Sequence, residues 1–131
     1  MVIDTSAILA VLLREPDAGM FRLAITRDPL RLMSAVSALE ATCVLESRRG
    51  LRAGLEFELV VHKINIRVMA FDLNQLDIAR DAWRRFGRGR HPASLNFGDC
   101  AAYALTKATG EPLLFKGRDF SLTDVASVRL A

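Results

Sequence analysis

Three acidic residues, Asp4, Glu40 and Asp99, stand where a carboxylate is either costly or useful. Asp4 interrupts the apolar run Met1-Val-Ile-Asp-Thr-Ser-Ala-Ile-Leu-Ala-Val-Leu-Leu13 almost at its start. It serves there as a helix cap, or as a ligand at the carboxyl end of a strand, where open parallel sheets bind theirs. Glu40 is the only charged residue from Ala35 to Leu45, with Val36, Ser37, Cys43 and Val44 one helical turn away. Such a carboxylate loses hydration unless a positive charge answers it; the plainer alternative is a partly exposed glutamate on a crowded helix. Asp99 follows Asn96-Phe-Gly. If Asn96 caps a helix, Asp99 lies in its first turn, where an acid also suits the helix dipole. Gly98 removes the side chain next door and opens room beside that carboxylate.

Carboxylates brought together from such distant segments repel one another unless a divalent cation neutralises them. Oxygen donors with no thiolate or imidazole cluster point to Mg²⁺ or Mn²⁺ and not to zinc. A site of that kind activates water for an in-line displacement at phosphorus. The run Arg84-Arg-Phe-Gly-Arg-Gly-Arg-His91 leads into the segment carrying Asp99. Its Arg88 and Arg90 read equally as a solvated loop and as a basic rim holding phosphates. Asp119 and Asp124, near the end of the chain, are two candidates for an additional acid.

These residues need a frame. A short strand ends at Asp4 and a helix over 7–13 follows, then a second helix from the Asp17 cap to about Ile25. Arg31 to Ser34 reads as a strand, Ala35 to Arg49 as a long helix stopped by Gly50, and Gly54 to Asn65 as an amphipathic helix. His62 is read there as an ordinary helix residue. Ile66 to Phe71 is a strand. Leu76, Ala79, Trp83 and Phe86 repeat at helical period, with Trp83 and Phe86 assigned to the core. Leu113 to Phe115 suits an interior parallel strand, Ser121 to Asp124 a helical turn, and Ala126 to Leu130 a final edge strand. Strands alternating with helices predict an α/β protein, a three-layer α/β/α sandwich around a central, mostly parallel sheet.

The 131 residues predict one domain over 1–131, and the 51% of hydrophobic residues suit a sheet covered on both faces. That apolar excess also favours a homodimer. The net charge of +3 is compatible with a polyanionic partner without establishing one. Cys43 and Cys100 read as buried thiols, hence a cytoplasmic setting. No stretch has the length of a membrane span.

Val2-Ile-Asp4-Thr-Ser-Ala7, Ser37-Ala-Leu-Glu40, Leu95-Asn-Phe-Gly-Asp99-Cys-Ala-Ala-Tyr-Ala104, and Leu113-Leu-Phe-Lys-Gly117 with Asp119-Phe120 occur in that order. Together they resemble the PIN-domain ribonucleases, in particular the VapC-type toxins of toxin–antitoxin systems, over essentially the whole chain. The resemblance implies a metal-dependent endoribonuclease, with RNA as substrate and a cognate antitoxin that inhibits it. Operator DNA is then bound only through that antitoxin. It implies that Asp4 and Asp99 hold the metal directly and that Glu40 ligates or acts through water. Thr5 or Ser6 would orient a water or ligand, and Asn96 would contact substrate. At the fourth acidic position Arg118 stands where many relatives carry an acid. Asp119 is the closest substitute, Asp124 the next, and Arg118 would meet substrate phosphate. Two rivals remain open at this stage. One is an aspartyl phosphatase using Asp4, although Ser6 stands where its second acid belongs; the other is a non-catalytic PIN-like RNA- or partner-binding module.

Overall fold

Val2 and Ile3 illustrate how the sheet is built: Val2 packs into one apolar cluster and Ile3 into another on the opposite face. The same alternation holds for Leu32 and Met33 and for Leu113 and Leu114. Successive strand side chains point to opposite faces, so an all-apolar strand requires cover on both. The computed structural model describes residues 1–130.

Four strands, β1 (Val2–Ile3), β2 (Leu32–Ser34), β3 (Arg67–Met69) and β4 (Leu113–Leu114), form an all-parallel sheet in the order β3-β2-β1-β4. Helices α1 (Thr5–Leu12) and α2 (Ala18–Arg27) connect β1 to β2, while α3 (Ala35–Arg49) and α4 (Leu51–Lys63) connect β2 to β3. Their apolar sides supply Ile8, Phe21, Ala41 and Phe57 to the cluster that holds Ile3. The chain then returns through α5 (Leu73–Phe86) and α6 (Phe97–Thr109), which pack Ala82, Phe86, Tyr103 and Leu105 around Val2. The α/β/α sandwich is therefore borne out. Because β4 lands on the far side of β1 from β2, the strand order reverses between β1 and β4. In such sheets the crevice beyond the strand ends at the reversal is the natural ligand site.

α6 runs through the interior: every residue from Cys100 to Thr106 is buried, four of them alanine or cysteine. Small side chains let it approach the strands closely, which fixes its first turn relative to β1.

Several expectations are corrected. The expected edge strand over 126–130 is a single bridge, Leu113 to Ser127, because only Ala126 and Val128 exchange backbone hydrogen bonds with Leu113. The third strand is shorter than Ile66 to Phe71, and α4 starts at Leu51, directly after Gly50 turns the chain at φ 84°. Cys100 is buried but Cys43 is exposed, so the reading of both as core thiols fails for one. Trp83, assigned to the core with Phe86, is 39% exposed while Phe86 is 9%. Helical period places a residue on a stripe but not at its centre.

Candidate active site

Asp4 occupies the first position beyond β1, and its amide donates to Leu114 O at 2.9 Å, tying it to β4. Its carboxylate caps α1, accepting through Oδ2 from the Ser6 amide at 3.0 Å and the Ser6 hydroxyl at 2.5 Å. The cap engages one carboxylate oxygen, so capping and ligation are not exclusive. With 4% of its surface exposed, Asp4 has its pKa raised by burial; the Ser6 hydrogen bonds oppose this and the nearby Glu40 charge adds to it. Ser6 Oγ also accepts from the Lys116 amide at 3.0 Å. One hydroxyl thus joins the exits of β1 and β4. Thr5 is occupied differently: it is buried and donates to Ser37 O at 3.2 Å, so its hydroxyl serves the α1–α3 packing.

Ser34, the last residue of β2, caps α3 and sets the register that carries Glu40 one and a half turns on. The half-buried Glu40 meets the start of α6 at Gly98, where a Cβ would lie 2.6 Å from Oε2 and 2.7 Å from Oε1. Gly98 does open room, as its sequence position predicts, and Glu40 fills it. Asn96 caps α6 as expected, in a reciprocal box. Its Oδ1 accepts from the Asp99 amide at 2.9 Å, and Asp99 Oδ2 accepts from the Asn96 amide at 3.0 Å. Burial pushes the Asp99 carboxyl up to about 7, partly opposed by the Asn96 amide and reinforced by the charges of Asp4, Asp119 and Glu40. Asp119 opens a single 3₁₀ turn, Asp119–Leu122, in the loop after β4, and is exposed.

Asp4 just past β1, Glu40 on α3 and Asp99 on α6 therefore act on one another where the strand order reverses, and Asp119 in the loop after β4 adds its charge to that felt by Asp99. Among the described residues no three His, Cys, Asp or Glu side chains already stand in chelating geometry. Mutual repulsion gives uncompensated carboxylates no reason to close up. The donor set fits a hard divalent cation: it is all oxygen, partly desolvated and strained by its own charge.

Asp124 does not belong to this group. Its Oδ1 accepts from the Tyr103 hydroxyl at 2.7 Å and its Oδ2 pairs with Arg85 and Lys107, both at 3.3 Å. Burial pulls its carboxyl upward, but these donors prevail and hold it below the usual range. It fastens the segment after the 3₁₀ turn to α5 and α6, so of the two candidates for the additional acid Asp119 is the one near Asp99. Arg118 precedes Asp119 and is exposed. Arg88 lines a groove between α3, α5 and the start of α6, and the Arg90 guanidinium lies 6.0 Å from the centre of the Trp83 ring, which lines it too.

Sequence reasoning missed Lys116, which pairs with Glu15 and, at 3.0 Å, with Asp17, clamping the β4 exit to the α1–α2 turn. Partners about a hundred residues apart leave no local pattern. The exposed Phe97, at the first position of α6, was also missed.

A PIN domain profile matches residues 1–126. The chain is 53% identical over 128 residues to a Ribonuclease VapC of Mycolicibacterium smegmatis, covering 98% of this chain and 99% of that one. It is 50% identical over 130 residues to Ribonuclease VapC30 of Mycobacterium tuberculosis, covering 99% of each. The structure is similar to that of Mycobacterium tuberculosis VapC20, a sarcin-ricin loop cleaving toxin. There the TM-score is 0.77 at 23% identity, covering 98% of both chains, a likeness of fold.

Proposed function

The chain belongs to the PIN domain family and to its VapC ribonucleases; on that premise we propose that its four clustered acids are the site of a divalent-metal-dependent endoribonuclease. The protein is the ribonuclease toxin of a type II toxin–antitoxin pair. The observation that carries the assignment of the site is the convergence of Asp4, Glu40, Asp99 and Asp119 beyond the ends of β1 and β4.

In this reading Asp4 and Asp99 hold Mg²⁺ or Mn²⁺ directly, and Glu40 and Asp119 complete the set, directly or through water. A bound dication supplies charge that polarises the phosphodiester and lowers the pKa of an attacking water. The chain's own residues do the rest. Ser6 holds Asp4 to one rotamer, the Asn96 box holds Asp99, and the missing side chain at Gly98 lets Glu40 reach the site. Arg118 and the Arg88–Arg90 loop supply cations for the RNA backbone, where a planar guanidinium suits bidentate phosphate contacts.

RNA is the substrate and a cognate antitoxin the protein partner. A homodimer, contact with operator DNA only through the antitoxin, and a cytoplasmic location belong to the same reading. No helix among the described residues is long and apolar enough to cross a membrane. The test is cleavage of RNA in Mg²⁺ or Mn²⁺ by Asp4→Ala and Asp99→Ala. Both are expected to lose metal-dependent cleavage while remaining folded, and full activity in either sinks the assignment.

A further inference from the structure

The Ser6 hydroxyl has one proton to give, and its neighbours decide where that proton goes. The Lys116 amide donates to Ser6 Oγ at 3.0 Å, and Ser6 Oγ stands 2.5 Å from Asp4 Oδ2. With a lone pair taken by the amide, the proton is directed to the carboxylate. The bond that steadies Asp4 therefore depends on where the start of the β4 loop lies.

Little else holds that loop. It leaves Leu114, whose carbonyl accepts from the Asp4 amide, and re-enters the core at the buried Phe120. In between, Gly117 turns the chain at φ 100°, and Lys116, Gly117, Arg118 and Asp119 are all exposed. Lys116 alone of these four has a side chain hydrogen-bonded to another element, through Nζ to Glu15 and Asp17. Its anchor is rigid. Past the end of α1, Arg14 takes φ 54°, and the Arg14 and Glu15 amides donate back to Val11 O and Ala10 O, closing a Schellman turn. Glu15 first and Asp17 second keep the ammonium charged. Two carboxylates answer that one cation, which leaves none of its charge over for a phosphate.

We infer that Lys116 is a positioning residue of the nuclease: its ammonium, held between Glu15 and Asp17, seats the start of the β4 loop so that the Lys116 amide turns the Ser6 hydroxyl onto Asp4. The inference rests on the proposed metal site and deepens it, because Lys116 shapes a ligand without touching metal or RNA. A surface ion pair adds little to global stability, so its effect belongs to local order and metal affinity and not to the melting temperature.

The test is Mn²⁺ binding by the full chain, followed by loss of the free-ion paramagnetic resonance signal at fixed pH and without RNA. Lys116→Met removes the ammonium, and the pair Glu15→Gln with Asp17→Asn removes its anchor from the other side. Each is expected to weaken Mn²⁺ binding by about tenfold, the low end for an outer partner of a metal ligand. Combining them should be little worse than Lys116→Met, since one interaction is lost in each case. Lys116→Arg, which keeps the charge, should retain most of the affinity. In the metal-free chain, hydrogen exchange at the residue-116 amide should quicken in Lys116→Met with the melting temperature hardly changed. Unchanged Mn²⁺ affinity in Lys116→Met overturns the proposal and leaves a merely structural clamp. So does RNA binding in EDTA that falls in Lys116→Met and rises when Glu15 and Asp17 are neutralised, which would make Lys116 a phosphate contact. Asp4→Ala, measured alongside, separates the two readings. Mn²⁺ binding lost there but kept in Lys116→Met removes the role of Lys116 alone, whereas wild-type binding in Asp4→Ala removes the metal site and this proposal with it.

Discussion

Replacing Gly98 by alanine separates folding from function at this site. The added Cβ would sit 2.6 Å from Glu40 Oε2, about 0.8 Å inside the 3.4 Å at which ordinary contact begins. The atoms it meets are the far end of a flexible side chain, so Glu40 gives way and the backbone does not. Gly98 lies in the first turn of α6, where alanine is a better helix former by up to about 1 kcal/mol. Stability should therefore stay within about 1 kcal/mol of wild type in either direction. The Glu40 carboxylate, however, retreats by roughly the clash distance, and a displacement near 1 Å at a catalytic group costs about a hundredfold in rate. The assay pairs a thermal melt with cleavage of a labelled oligoribonucleotide across a Mn²⁺ titration, for Gly98→Ala, Glu40→Gln and the double variant. An unchanged melt with cleavage down ten- to a hundredfold is expected, and the double variant should be little worse than Glu40→Gln, because both changes remove one interaction. Undiminished cleavage in Gly98→Ala, or fully additive losses, would refute the reasoning.

Three further outcomes follow from the same geometry. The Asp99 carboxyl, raised from 3.8 to about 7, holds a proton in the folded chain that the unfolded chain has released. Metal-free stability is therefore greatest at low pH as far as this group is concerned and falls as pH rises through about 7, and melts in EDTA from pH 5 to 8 should show a smaller fall in Asp99→Asn than in wild type, the raised Asp4 carboxyl supplying what is left. Ser6→Ala deprives the buried Asp4 of a hydrogen bond that lowers its pKa, so half-maximal Mn²⁺ binding should need a higher pH, and stability should drop by about 1–3 kcal/mol; an unchanged pH profile contradicts the role given to Ser6. Asp124→Asn loosens the Tyr103, Arg85 and Lys107 contacts, partly exposed, at a cost of about 1 kcal/mol, and leaves the cleavage rate per folded molecule unchanged; loss of rate without loss of melting temperature would return Asp124 to the site.

What could be read from the sequence was what short-range chemistry dictates. The Asn96 cap, the stop at Gly50 and the short strand before Asp4 each depend on residues within a turn of one another. The three principal acids were legible because each sits just past an element boundary that its neighbours define, or alone among apolar residues. Long-range geometry was not legible. Nothing near Asp124 announces Tyr103, and nothing near Lys116 announces Glu15 and Asp17, since these contacts exist only once β4 lies beside β1. Trp83 was misplaced for a related reason: the stripe it shares with Ala79 and Phe86 is buried only where α6 covers it, and its edge opens into the groove.

The most direct test is anomalous diffraction at the manganese edge from crystals grown in Mn²⁺. The account requires an anomalous peak within coordination distance of both Asp4 and Asp99, with Glu40 or Asp119 beside it or reached through a water. A peak bound elsewhere, or none between those two aspartates at saturating Mn²⁺, would contradict it.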